Sequence, residues 1–128
     1  MGQQQLLLIV LGVIVVGIAV VVGINLFNAN ATNANRDGVI SDLNNLGAMA
    51  QQYYKKPTSM GGGGNDFTGW SIPTGLDSTA NGTYPPPSIT GTQVTIVGTG
   101  TEPGDDGTNP VQATATVTAT SITVAVNN

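Results

Sequence analysis

Residues 6–24 read LLLIVLGVIVVGIAVVVGI and contain no charged or strongly polar side chain. Fifteen of these nineteen residues are Leu, Ile or Val. As a helix with a rise of about 1.5 Å per residue, the run nearly matches the hydrocarbon core of a bilayer, which is about 30 Å thick. A surface this apolar must lie in a membrane, in a protein core or against copies of itself.

The residues that flank this run indicate that it is retained in the mature protein. A secretory signal peptide opens with a basic region and ends at a small-residue cleavage site. Here MGQQQ precedes the run without Lys or Arg, and the poor cleavage site Asn25-Leu26-Phe27-Asn28 follows it. An uncleaved signal anchor that holds a small domain at a membrane is the alternative interpretation.

The helical pattern continues beyond the apolar run. After an Asn-rich stretch, residues 25–35, apolar or small side chains recur at spacings of three and four. The recurring positions are Ile40, Leu43, Gly47, Ala50 and Tyr54. Pro57 ends the pattern because it disfavours a helical residue before it, and Lys55 and Lys56 suit the C-terminal end of a helix dipole. We predict one nearly continuous helix from about Gly2 to Lys55, about 80 Å long, whose N-terminal half protrudes.

The C-terminal half of the chain alternates between apolar and polar residues, which predicts antiparallel β-strands. A turn at Ala119-Thr120 predicts a terminal hairpin. The connection Pro73–Ser88 is rich in turn residues and carries three consecutive prolines. The predicted strands are 67–72, 92–99, 111–118 and 122–126.

These patterns predict an α+β fold in which the amphipathic half of the long helix packs on a small antiparallel sheet. We divide the chain into a hydrophobic N-terminal helix, an amphipathic half-helix, a Gly-rich connector and a β-sheet head. Their predicted bounds are 1–28, 29–56, 57–66 and 67–128.

The composition disfavours catalysis and nucleic-acid binding. Only 8 % of the residues are charged, and the three cations are Arg36, Lys55 and Lys56, whereas binding to phosphates needs clustered Lys and Arg. The chain has no His and no Cys, which are the commonest general base and the most nucleophilic side chain. No paired carboxylates replace them. We therefore expect no enzyme activity, no cofactor and no specific nucleic-acid partner.

Two weaker sequence patterns suggest a calcium site and an N-glycosylation site. The acidic turn with Asp105 and Asp106, helped by Glu102, is a weak candidate calcium site, and a plain hairpin loop is the preferred interpretation. Asn81-Gly82-Thr83 fits the N-glycosylation pattern, as does the triplet that begins at Asn30. The alternative is an unmodified surface, because such triplets arise by chance in a chain rich in Asn and Thr.

The whole pattern resembles the type IV pilins and their pseudopilin relatives. Met1, four further residues and then Leu6-Leu7-Leu8-Ile9-Val10 look like the mature N-terminus left by prepilin peptidase. The resemblance implies an N-methylated Met1, a single span of the inner membrane before assembly, and a homopolymeric extracellular filament built by a pilus assembly machinery. The implied filament core comprises Gln5, Leu6, Leu7, Leu8, Ile9, Val10, Leu11, Val13, Ile14, Val16, Val20 and Ile24.

The chain departs from the family in three ways. Gln5 stands where the family usually has a Glu that neutralises a neighbouring N-terminal amine. The usual helix-breaking proline is absent, and Gly12, Gly17 and Gly23 are the candidate positions for local melting of the helix. The common C-terminal disulfide is missing. These departures leave a minor pilin or a pseudopilin of a type II secretion-like system open, as well as a mature chain that begins at Gln3.

Two functions therefore follow from the sequence. The first is a structural filament subunit that serves adhesion, motility or DNA uptake. The second is a single-span, membrane-anchored binding module that stays monomeric.

Overall fold

The computed structural model describes residues 2–128, and its first element is a single α-helix, α1, over Gly2–Lys55. This confirms the predicted bounds of the helix. The Asn-rich stretch is helical throughout, although Asn is a mediocre helix former. The chain divides into two compact units, one that ends at Ala31 and one over Thr32–Asn128. We call residues 2–31 the arm and Thr32–Asn128 the head.

The glycine-rich loop caps the C-terminal end of α1. The last carbonyls of a helix lack intrahelical partners, and here Gly63 N–H donates to the Tyr53 carbonyl and Asn65 N–H to the Tyr54 carbonyl. Gly64 N–H donates to the carbonyl of Lys56. A Cβ at Gly63 would collide with the backbone of Asp66, so this close approach requires glycine. The predicted connector is therefore a cap on the helix as well as a link to the sheet.

The head contains one antiparallel sheet of five strands in the order β1-β3-β4-β5, with β2 alongside β1 on the same edge of β3. The α+β fold and the terminal β4–β5 hairpin are thus confirmed. Of the predicted strands, the last three are present. The strand bounds are β1 Gly82–Thr83, β2 Ser88–Ile89, β3 Gln93–Pro103, β4 Pro110–Thr118 and β5 Ile122–Val126.

The predicted strand at residues 67–72 is wrong. The Trp70 N–H donates to the Phe67 carbonyl, and Gly69 has a φ of 91°, so the chain turns here instead of extending. Phe67 and Trp70 are nonetheless buried, and the Phe67 ring lies 4.6 Å from that of Tyr54. Their apolar character therefore reflects core packing in a turn. The connection Pro73–Ser88, which was predicted as turns, also contributes the short strand β1 and the first residue of β2.

The core lies between the head part of α1 and the inner face of the sheet. From α1 it takes Val39, Leu43, Leu46 and Ala50, and from β4 every second residue. Of the predicted helical stripe, Leu43, Gly47 and Ala50 are buried, and Ile40 and Tyr54 are half-buried and pack against the core. Val39 and Leu46 also belong to the core and were not predicted. Gly47 lets the sheet approach closely, since a Cβ there would lie 3.1 Å from the side chains of Val117 and Ile122. The fully buried members from β3 and β4 are Val94, Ile96, Val111, Ala113, Ala115 and Val117.

Candidate functional site

The arm presents a continuous apolar surface. Its Leu, Ile and Val side chains from Leu6 to Ile24 are between 51 % and 69 % exposed. By length and composition this helix could cross a membrane, or act as a signal sequence because it lies near the N-terminus. The residues predicted for a filament core, Gln5 included, are exposed. Met1, the predicted methylation site, lies outside the described residues.

The three glycines of the arm are helical. A Cβ at Gly12, Gly17 or Gly23 would meet no atom within 4 Å, so space within the chain does not require glycine there. Each glycine nevertheless weakens a helix by about 0.8–1.0 kcal/mol relative to alanine. Local melting at these positions remains a prediction.

The head contains a polar cluster that the sequence did not reveal. The Asp42 Oδ2 atom accepts hydrogen bonds from the Tyr84 hydroxyl at 2.6 Å, the Thr79 hydroxyl at 2.8 Å and the Asn81 Nδ2 at 3.2 Å. We call these four residues the Asp42 clamp. All three donors belong to the loop that enters and leaves β1, so the clamp ties this loop to α1.

The clamp perturbs the acidity of its members. Burial raises the pKa of Asp42, but the hydrogen bonds from Tyr84, Thr79 and Asn81 outweigh it and hold the pKa below its usual value. Burial and the nearby carboxylate raise the pKa of Tyr84 well above its usual value. The clamp is therefore an ionised carboxylate held by neutral donors. A single aspartate before a core leucine carries no motif, so no sequence pattern could have identified it.

Asn35 makes a second attachment between α1 and the sheet. It is only 8 % exposed, and its Nδ2 donates to the Asn81 carbonyl at 2.7 Å. Its Oδ1 accepts the N–H groups of Thr101 and Glu102. The side chain thus satisfies backbone groups that would otherwise be costly to bury. The Asn-rich stretch contained this residue, but composition alone did not distinguish it from its neighbours.

The acidic turn uses its carboxylates internally. Asp106 accepts the N–H of Thr108 and both the side chain and the N–H of Asn109, which lowers the pKa of Asp106 to about 2. Asp105 pairs instead with Arg36 on α1, at 2.7 Å. Within residues 2–128 no group of three or more His, Cys, Asp or Glu side chains is placed to hold a metal ion. A cation at this turn would compete with these existing bonds.

The two predicted glycosylation candidates lie in different surroundings. Asn30 is exposed on α1. Asn81 is half-buried, and its Nδ2 already donates to Asp42. A glycan on that nitrogen would compete with the Asp42 clamp.

A cleft of about 540 Å³ opens beside the clamp. The Tyr84 side chain, buried in the head, lies in its wall, and the three consecutive prolines border it. The lining residues are Ser71, Ile72, Asp77, Ser78, Thr83, Tyr84, Pro85, Pro86, Pro87 and Thr99.

The chain was compared with protein-family models, with curated proteins and with solved structures, and none of them matches.

Proposed function

We propose that this chain is the structural subunit of a type IV pilus-like extracellular filament, which polymerises through its arm. The observation that carries the proposal is the contrast within α1. Along one unbroken helix, the arm leaves its apolar side chains exposed, whereas Val39, Leu43, Leu46 and Ala50 complete the core of the head. The arm is thus free to be buried against other molecules.

The energetics favour two successive environments for the arm. A central Leu, Ile, Val or Phe contributes about −0.3 to −0.6 kcal/mol to membrane insertion, so the run from Leu6 to Ile24 favours lipid by several kcal/mol. Transfer from the inner membrane into a bundle of identical arms keeps the same surface away from water. The small residues Gly12, Gly17 and Gly23 allow neighbouring helices to approach closely.

The proposal includes the partners that the resemblance implies. Prepilin peptidase would produce the mature N-terminus at Met1, and an assembly machinery in the inner membrane would extract the subunit. In the filament, the amide of Gln5 would accept a hydrogen bond from a neighbouring amine without neutralising its charge. Because an unpaired buried ammonium is costly, a further acceptor from a neighbouring chain is expected.

Electron microscopy of material sheared from producing cells tests this function, together with mass spectrometry of the subunit's N-terminus. Val15→Asp or Val16→Asp should abolish thin filaments, because a carboxylate at the centre of the arm is costly to bury. Asn44→Asp adds the same charge to an exposed position of the head and should leave filaments intact. Filaments that persist with Val15→Asp would rule out assembly through the arm.

The cleft beside Tyr84 favours the second candidate, a binding module anchored by a single span. This function predicts a detergent-extracted monomer that forms no filament in producing cells. It also predicts an unprocessed N-terminus in the membrane fraction.

A further inference from the structure

We propose that two copies of this chain pair edge to edge through β5, which extends the sheet of one head into that of the other. The sheet order ends on β5, and within residues 2–128 this strand pairs with β4 alone. The opposite edge is different, because Pro85, Pro86 and Pro87 lie between β1 and β2 and have no N–H to donate. Among the described residues, only the β5 edge of the sheet offers a full set of unpaired backbone donors and acceptors.

The backbone register shows which groups are available. Thr118 N–H donates to the Ser121 carbonyl and Asn127 N–H to the Gln112 carbonyl, so the hydrogen-bonded pairs of the hairpin include the odd-numbered residues of β5. Hydrogen-bonded and non-hydrogen-bonded pairs alternate in an antiparallel ladder. The N–H and C=O groups of Ile122, Val124 and Val126 therefore point away from β4.

These outward groups are self-complementary. Their spacing is symmetric about Val124, so a second β5 in antiparallel orientation places Val124 opposite Val124 and Ile122 opposite Val126. Each of these three opposed pairs exchanges two N–H···O bonds, which gives six bonds without any change in the strand. The match requires nothing but a second copy of the same strand.

The side chains and the charge distribution favour the same partner. Ile122 and Val124 are only half-buried and Val126 is 47 % exposed, and pairing would place these side chains next to one another on one face. Residues 107–128 contain no charged side chain, so this edge lacks the charges and prolines that usually prevent strand addition. A highly charged partner would find no counter-charge here, whereas a second copy does not need one.

The pairing goes beyond the proposed filament and does not depend on it. An isologous contact requires a two-fold axis, whereas subunits along one helical filament are related by a screw operation. The β5 pair therefore joins chains that are not neighbours within one filament. In the full chain in detergent, arm association would be the same for every β5 variant, so differences between variants report on β5.

Single cysteines test the register in the full chain, which has no cysteine of its own. In the paired state the two Cα atoms at position 124 would lie about 5.5 Å apart, within the range of a disulfide. The Cα atoms of two residues 123, or of two residues 125, would be diagonal neighbours about 7–8 Å apart. We expect Val124→Cys to give several times more disulfide-linked dimer on oxidation than Thr123→Cys or Ala125→Cys. Equal yields, or no dimer from any variant, would overturn the proposal, and the latter would favour a different chain as the added strand.

Two measurements that avoid new cysteines accompany this test. Val124→Pro removes an outward N–H and should convert the dimer to a monomer in sedimentation, whereas Val124→Ile keeps the N–H and should leave the dimer unchanged. In the wild-type chain, the amides of Ile122 and Val124 should exchange hydrogen more slowly as the dimer forms. Unchanged exchange with concentration would contradict the pairing. The absence of filaments in cells would refute the proposed function but would alter none of these results.

Discussion

Asp42 is a partly buried carboxylate whose three donors all come from the loop around β1. A single acceptor on α1 thus determines the position of Thr79, Asn81 and Tyr84. Since the carboxylate is charged, these hydrogen bonds are stronger than neutral ones. The clamp therefore contributes to the stability of the head, although Asp42 is only partly buried.

We expect Asp42→Ala to lower the free energy of unfolding by about 1.5–3 kcal/mol, because the Tyr84 and Thr79 hydroxyls lose a charged acceptor. Tyr84→Phe should lower it by a smaller amount. In the double variant the two effects should not add, since both remove the same bond. Urea unfolding followed by the fluorescence of Trp70, the single tryptophan, measures these changes. Asp37→Ala, at an exposed position of the same helix, is the control and should change little.

Acid should destabilise the head through Asp42, Asp66 and Asp106, because each has a pKa below its usual value in the folded chain. A carboxyl group of this kind contributes stability above its unfolded pKa of about 3.9, and this contribution is lost as the pH falls through the folded value. The unfolding free energy should therefore decline below about pH 4 and continue to fall towards pH 2. Asp42→Asn should flatten this decline, and an unchanged slope in that variant would contradict the role of Asp42.

At the residue scale the sequence predicted little of this chemistry. Asp105 and Asp106 were candidate calcium ligands because they are adjacent. In the structure Asp105 pairs with Arg36, and Asp106 accepts hydrogen bonds within its own turn. The role of Asp42 was not predicted, because its hydrogen-bond partners are 37 to 42 residues away in the sequence. Short motifs reveal local chemistry, whereas contacts over long sequence separations depend on the fold.

At the scale of elements, the close packing of α1 on β3 depends on Gly98. A Cβ at this position would lie 2.7 Å from the Tyr84 ring and 2.9 Å from the Val39 side chain, both of which are buried. Gly98→Ala should therefore destabilise the head by about 1–3 kcal/mol through overpacking. Gly91→Ala, where the nearest atom is 3.4 Å away on the exposed side chain of Asp66, is the matched control. Equal unfolding midpoints for the two variants would show that the core rearranges to accommodate the methyl group at position 98 without loss of stability.

The elements themselves were largely predictable because their periodicities are long and regular. Strands β3, β4 and β5 and the bounds of α1 followed from alternation and from the proline after the last turn. The predicted helical stripe was right at Leu43, Gly47 and Ala50. It did not include Val39 and Leu46, because the buried face of a helix is wider than one residue per turn. The predicted strand at residues 67–72 was wrong because aromatic residues are common in strands, whereas Phe67 and Trp70 are core residues that lie in a turn.

At the scale of the whole molecule, every side chain identified as buried among the described residues belongs to the head. A chain that begins at Thr32 should therefore fold without detergent and show the same Trp70 emission and urea midpoint as the head of the full chain. Circular dichroism and gel filtration would check this. Aggregation of the truncated chain, with loss of the Trp70 signal, would mean that the arm contributes to the fold of the head.

The sequence by itself determined the long helix, its apolar first half and the antiparallel sheet, because hydrophobicity and periodicity are local properties of the chain. Only the tertiary structure decided how far the buried face of α1 extends around the helix, which loop Asp42 holds, and which edge of the sheet stays open. Those outcomes depend on side chains and backbone groups that are distant in sequence and meet only when the core closes. The apolar arm, which supports the proposed filament, follows from the sequence alone. The open β5 edge follows only from the tertiary structure.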